Sequence, residues 1–112
     1  MKSTLKENAK NKYYVYFIRI GEPTDRLFKI GTTNDLKRRM GEHKRTYKKD
    51  VEILGTITLT SEWTPLKVEK KMIEKWKTET DWKYLRNDRF IIPDEVDEVT
   101  ITVKKDYKIK LR

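Results

Sequence analysis

Arg39 and Glu69 are charged residues set into otherwise apolar stripes, and their spacing is the first sign of chemistry in the chain. Leu36, Met40, His43 and Tyr47 recur at i, i+4, i+7 and i+11, the period of a helix face turned towards a core. Arg39 lies three residues after Leu36 and four before His43, on the border of that stripe, while Arg38 falls on the solvent side. Glu69 precedes Met72, Ile73 and Trp76 by three, four and seven, near the middle of a second stripe that also holds Leu66 and Val68. A carboxylate in a core is costly unless it has a partner. A buried Arg39–Glu69 ion pair would satisfy that demand, as would a Glu69 that snorkels out at the domain edge. The other solution is a cleft where Glu69 meets a divalent cation or a cationic substrate. A hard cation such as Mg²⁺ suits one carboxylate, waters and a phosphate. Arg39 would then grip a phosphate oxygen with its planar fork. His43 is the only histidine and the only side chain here that ordinarily titrates near neutrality; on an apolar stripe it also reads as a packing residue.

Composition narrows the classes. The chain has 112 residues and a net charge of +9, one domain's worth of sequence. All of the surplus lies in residues 1–49, with 14 Lys/Arg against 5 Asp/Glu, whereas residues 50–112 are balanced at 13 each. Such asymmetry points to a polyanionic partner, nucleic acid or an anionic surface, with solubility as the bland alternative. The absence of cysteine excludes disulfide scaffolds, thiolate nucleophiles, zinc fingers and iron–sulfur sites. No apolar run approaches a membrane span and no signal-peptide stretch opens the sequence, so a cytoplasmic protein (nuclear in a eukaryotic host) is expected.

The elements that must position these residues follow from local pattern. Residues 1–12 read as a basic arm, a solvated tail able to touch a phosphate backbone. Tyr13–Ile20 is β-branched and aromatic, a strand; Gly21–Asp25 is a turn; Arg26–Thr32 is the returning strand of an antiparallel hairpin. A helix follows, with Thr33, Asn34 and Asp35 as capping candidates, and Lys37, Arg38, Lys44, Arg45 and Lys48 form its basic, DNA-facing set. Glu52–Thr60 reads as a third strand interrupted by Gly55. Thr64 and Pro65 open a second helix to about Thr78, and Trp82 and Tyr84 fall in a connection. Arg89–Ile92 is a short strand, and Glu98–Val103 with Tyr107–Leu111 alternates as a closing hairpin. The expected fold is a single small α+β domain: a three-stranded antiparallel sheet flanked by helices over residues 13–92, with a C-terminal β-hairpin extension over 93–112.

In this frame the spacing resembles the GIY-YIG nuclease domain. Tyr14-Val15-Tyr16 stands where that family has its first tripeptide and Lys29-Ile30-Gly31 where it has its second, with Tyr14, Ile30 and Gly31 as framework positions. Arg39 follows Gly31 by eight, His43 follows by four more, and Glu69 lies in a helix after the third strand. Asn87-Asp88-Arg89-Phe90 is similar to a segment of the phage-associated subfamily, whose second tripeptide is often KIG. Lys29 stands where the family most often has Tyr, Tyr14 where it has Gly, and Thr32 where many members have Lys.

The resemblance implies DNA phosphodiester hydrolysis with one Mg²⁺ or Mn²⁺, RNA being open as well. It casts Tyr16 as the base or water-orienting group, Lys29 as a cation helping the phenol ionise, and His43 as the proton acceptor. Arg39 would stabilise phosphate charge, and Glu69 would hold the metal without a second carboxylate. Gly31 would serve the backbone where the strand turns into the helix. The alternative is a catalytically degenerate nucleic-acid binder or inhibitor, distinguished by salt-sensitive binding without turnover. Cutting both strands from one metal site leaves room for a homodimer.

Overall fold

Val15, Tyr16, Phe17 and Ile18 are all buried in succession, the pattern of a strand covered on both faces. They belong to β1, Tyr13–Ile20. The computed structural model of the protein describes residues 12–59 and 64–111, so the expected basic arm lies outside the described residues save for Lys12. β1 is flanked by β2, Leu27–Thr33, and β3, Val51–Leu59, both antiparallel to it. Two further strands, β4 (Lys83–Leu85) and β5 (Arg89–Ile91), extend the sheet beyond β2 in the order β3-β1-β2-β5-β4. The sheet therefore has five strands where the sequence pattern indicated three. β4 is three residues long, too short to show a period, and its aromatic Tyr84 packs edge-on against Phe90 of β5 at 5.2 Å.

Each face of the sheet carries one helix. Helix α1, Leu36–Tyr47, starts at Asp35, whose carboxylate accepts a hydrogen bond from the Arg38 backbone N–H at 3.1 Å. It packs Met40 over Tyr16, Ile18 and Ile20. Helix α2, Pro65–Glu79, places Val68, Met72 and Trp76 against Val15, Phe17, Phe28 and Ile30 on the opposite face. Leu66, expected on that apolar stripe, is 72% exposed, because the first turn of α2 extends past the packed surface.

The closing hairpin of β6 (Glu98–Thr102) and β7 (Asp106–Lys110) contributes Val99, Ile101 and Ile109 to the core beneath α2. Gly55 marks where it docks: a Cβ there would come within 2.9 Å of the Ile109 side chain. The β1–β2 connection contains a 3₁₀ turn at Pro23–Asp25 and ends on Arg26, which is buried in a left-handed conformation. Its guanidinium donates to the carbonyls of Ile92, Pro93 and Val96 and pairs with Asp94, tying the hairpin to the segment after β5. Among the described residues no helix is long and apolar enough to cross a membrane.

Candidate active site

The site lies on the α1 face of the sheet, and its geometry begins with a pairing. Tyr16 of β1 stands opposite Gly31 of β2. A methyl group at Gly31 would sit 2.2 Å from the Tyr16 hydroxyl and 2.4 Å from its Cζ, so the glycine is the floor on which the phenol ring lies. The role expected for Gly31, a backbone turn into the helix, is corrected: the strand runs on to Thr33, and the missing side chain serves Tyr16. Tyr14 is half-buried two residues before, and Ile30 is wholly buried on the opposite, α2 face.

The phenol reaches α1. Its hydroxyl lies 2.7 Å from Nε2 of His43, a buried contact between residues 27 apart in the chain. The Arg39 guanidinium lies close enough to oppose the rise in the phenol's pKa. In the tautomer protonated at Nδ1, His43 accepts the hydroxyl proton at Nε2. Burial pushes the Tyr16 pKa up to about 12, opposed by Arg39. The cation beside the phenol is thus Arg39, where the sequence suggested Lys29. Burial drives the His43 pKa down to about 4, with the positive charges of Lys29 and Arg39 acting in the same direction. The imidazole is neutral at pH 7, the form able to accept a proton. It stacks on Tyr47, whose ring carries the Arg89 guanidinium at 5.0 Å from its centroid.

Arg39 and Glu69 both lie close enough to Tyr16 to act on its charge, but they are not joined as the postulated ion pair. Arg39 takes Glu42 of its own helix, at 2.8 Å, a contact that holds the Glu42 carboxyl below its ordinary range. Glu69 instead lies beside the carboxylate of Asp88. Burial raises the Glu69 pKa to about 7 and the negative charge of Asp88 adds to the shift, while Lys29 and Arg39 oppose it. A second carboxylate is therefore present where the sequence indicated a single one. Asp88 sits in the β4–β5 turn, where Asn87 and Asp88 both adopt left-handed backbone angles (φ 62° and 57°). Asn and Asp tolerate that region better than other side chains, so an Asn-Asp pair between two short strands was the available signal for this turn.

Lys29 holds the turn in place. It is only 6% exposed. Its ammonium donates to the Asn87 carbonyl, and Tyr84 donates from its hydroxyl to Asp88 at 3.0 Å. Burial lowers the Lys29 pKa, offset by the nearby charges of Asp88 and Glu69.

The donor set suits a hard cation: two adjoining, half-buried carboxylates repel one another, and a metal ion between them would relieve that repulsion. Among the described residues no group of three or more acidic, histidine or cysteine side chains is gathered, so water and phosphate oxygens would complete the shell. The expected DNA-facing residues Lys37, Arg38, Lys44, Arg45 and Lys48 are all exposed on α1 or at its C-terminal end. Arg38 already pairs with Glu42 at 2.8 Å and Asp35 at 3.8 Å.

Compared with known proteins, residues 13–81 match the family model of the T5orf172 domain. No curated protein and no solved structure matches the chain. The match corrects the GIY-YIG resemblance, since the family found is the T5orf172 domain and not a GIY-YIG family. The tripeptides on which that resemblance leaned are neighbouring strands of one hairpin, and the Tyr16–Gly31 pair in them answers a local packing demand.

Proposed function

Because the chain belongs to the T5orf172 domain family, which is associated with phage-type nuclease and DNA-binding functions, we propose that it is a divalent-metal-dependent endonuclease hydrolysing DNA phosphodiester bonds. The observation that carries this reading is the convergence on Tyr16 of two groups from one helix, His43 with Nε2 2.7 Å from its hydroxyl and Arg39 with a cation that favours the ionised phenol. A phenol held between an acceptor and a cation can pass a proton without leaving its place.

Water would attack phosphorus as its proton passes to the Tyr16 oxygen and the phenolic proton passes to His43 Nε2, while the bond to the leaving sugar oxygen breaks. The neutral imidazole makes His43 the terminal acceptor. Arg39, freed from Glu42 by a competing phosphate, would donate to a non-bridging oxygen as charge develops there. Glu69, with Asp88 beside it, would hold Mg²⁺ or Mn²⁺. The metal would neutralise phosphate charge and stabilise the leaving oxygen. Lys29 would act from below, fixing the turn that carries Asp88.

The test is incubation of supercoiled plasmid with the protein in Mg²⁺ or Mn²⁺. Nicking is expected, lost in chelator and reduced at least about a hundredfold in Glu69→Ala and in Arg39→Ala. Cleavage that survives Glu69→Ala in protein free of contaminating nuclease would overturn the metal assignment. Salt-sensitive binding with no turnover in either metal would replace the hydrolytic reading with that of a DNA-binding module.

A further inference from the structure

A groove of about 550 Å³ opens beside the proposed site, where the end of β2 and the start of α1 face the first turn of α2. Its lining includes Tyr13, Thr32, Asn34, Arg39, Pro65 and Leu66. Three features of it are unlike an ordinary surface cleft. Tyr13 is 42% exposed, and its ring borders the groove together with Leu66 and Pro65, an uncharged apolar flank. Thr32 and Asn34 supply uncharged hydrogen-bonding groups on the β2 side. Arg39 lines the groove and also acts on the charge of the Tyr16 hydroxyl, so the groove adjoins the proposed catalytic centre.

We propose that this groove is a nucleotide subsite. It receives the base and sugar of the nucleotide next to the scissile phosphate, with the base against the Tyr13 ring and Leu66 and the phosphate on Arg39. The chemistry follows from the lining. A nucleotide has an apolar π-face, polar edges and an anionic end, and the groove offers an aromatic ring, amide and hydroxyl groups, and a guanidinium. Every base has a π-face, so stacking on an aromatic side chain is tolerant of sequence. Thr32 and Asn34 are placed to add preference through base edges. The proposal rests on the hydrolytic reading for its direction, since that reading says which phosphate Arg39 holds.

Thymidine 3′,5′-bisphosphate and its base-free analogue, 2-deoxyribose 3,5-bisphosphate, separate the base from the phosphates. Binding is measured by calorimetry in chelator and mapped by amide NMR shifts. The thymidine compound is expected to bind about tenfold more tightly than the analogue, a typical worth for one base on one aromatic ring. The shifts should centre on Tyr13, Thr32 and Leu66. Tyr13→Ala should abolish that preference and leave analogue binding unchanged, Tyr13→Phe should keep it, and Arg39→Met should weaken both ligands. Equal affinity for the two compounds, a preference that survives Tyr13→Ala, or shifts that map elsewhere would overturn the subsite.

The plasmid assay run in parallel separates the two readings. A protein that shows the Tyr13-dependent preference but never nicks keeps the subsite and loses the hydrolytic reading. One that nicks without that preference does the reverse.

Discussion

At Tyr16 two demands meet, and a single glycine answers both. The ring must lie flat enough on β2 for its hydroxyl to reach His43, and only a residue without Cβ leaves that space. Gly31→Ala is therefore expected to lower stability by about 2 kcal/mol through overpacking and to reduce cleavage more than its effect on folding explains. Thermal melts beside nicking rates check this, and an unchanged melt would show that the ring has room to move. The histidine makes a second expectation. Its folded pKa of about 4 lies below the ordinary 6.5, so its contribution to stability is complete above pH 6.5 and lost as pH falls towards 4. The loss should amount to at most about 3 kcal/mol. Glu69, with its pKa raised from 4.5 to about 7, acts in the opposite direction over the same interval. Replacing His43 by Gln should therefore leave a melting temperature that falls as pH rises from 4.5 to 7, and an unchanged profile would refute the assignment of a buried neutral imidazole.

At the level of elements, the two short strands after α2 decide more of the site than their length suggests. The β4–β5 turn delivers Asp88 to Glu69, and Lys29 and Tyr84 hold it there. The segment that follows is tied back by Arg26, whose guanidinium satisfies three carbonyls. Arg26→Met keeps the apolar stem and removes those donors. It is expected to cost about 3 kcal/mol, because the carbonyls it served are left partly buried without a donor. Denaturant melts measure it, and a loss under about 0.5 kcal/mol, the range of an ordinary surface substitution, would show that water replaces the guanidinium at no cost. The two helix starts were plain in the residues, through Asp35 and Pro65. β4 was not, since three residues carry no period and its pairing depends on a partner strand.

For the molecule as a whole, the charge distribution sets how a polyanion approaches. The exposed basic residues Lys37, Arg38, Lys44 and Arg45 lie on the same helix as Arg39 and His43, so on the proposed reading phosphate contacts there would bring a DNA backbone to the site. DNA affinity should fall linearly on a log–log salt plot, and Lys37→Ala and Lys44→Ala should each reduce the slope by about one. Lys108→Ala, on the closing hairpin, should leave it unchanged. Equal effects from all three would mean that α1 is not the contact face.

The α+β class, both helices, the central hairpin and the out-of-pattern positions of Arg39 and Glu69 were legible in the residues, because each rests on periodicity, capping residues or a local excess of charge. The sequence could not determine which charge meets which. Arg39 turned to Glu42, Glu69 to Asp88, Lys29 inward to the Asn87 carbonyl, and Gly31 to the Tyr16 ring. Arg39–Glu42 is an i,i+3 pair within α1 that helical spacing allows. The other partnerships join residues from separate elements, and they depend on strand register and on a turn whose pairing is non-local. Periodicity carries neither, so only the tertiary structure decides them.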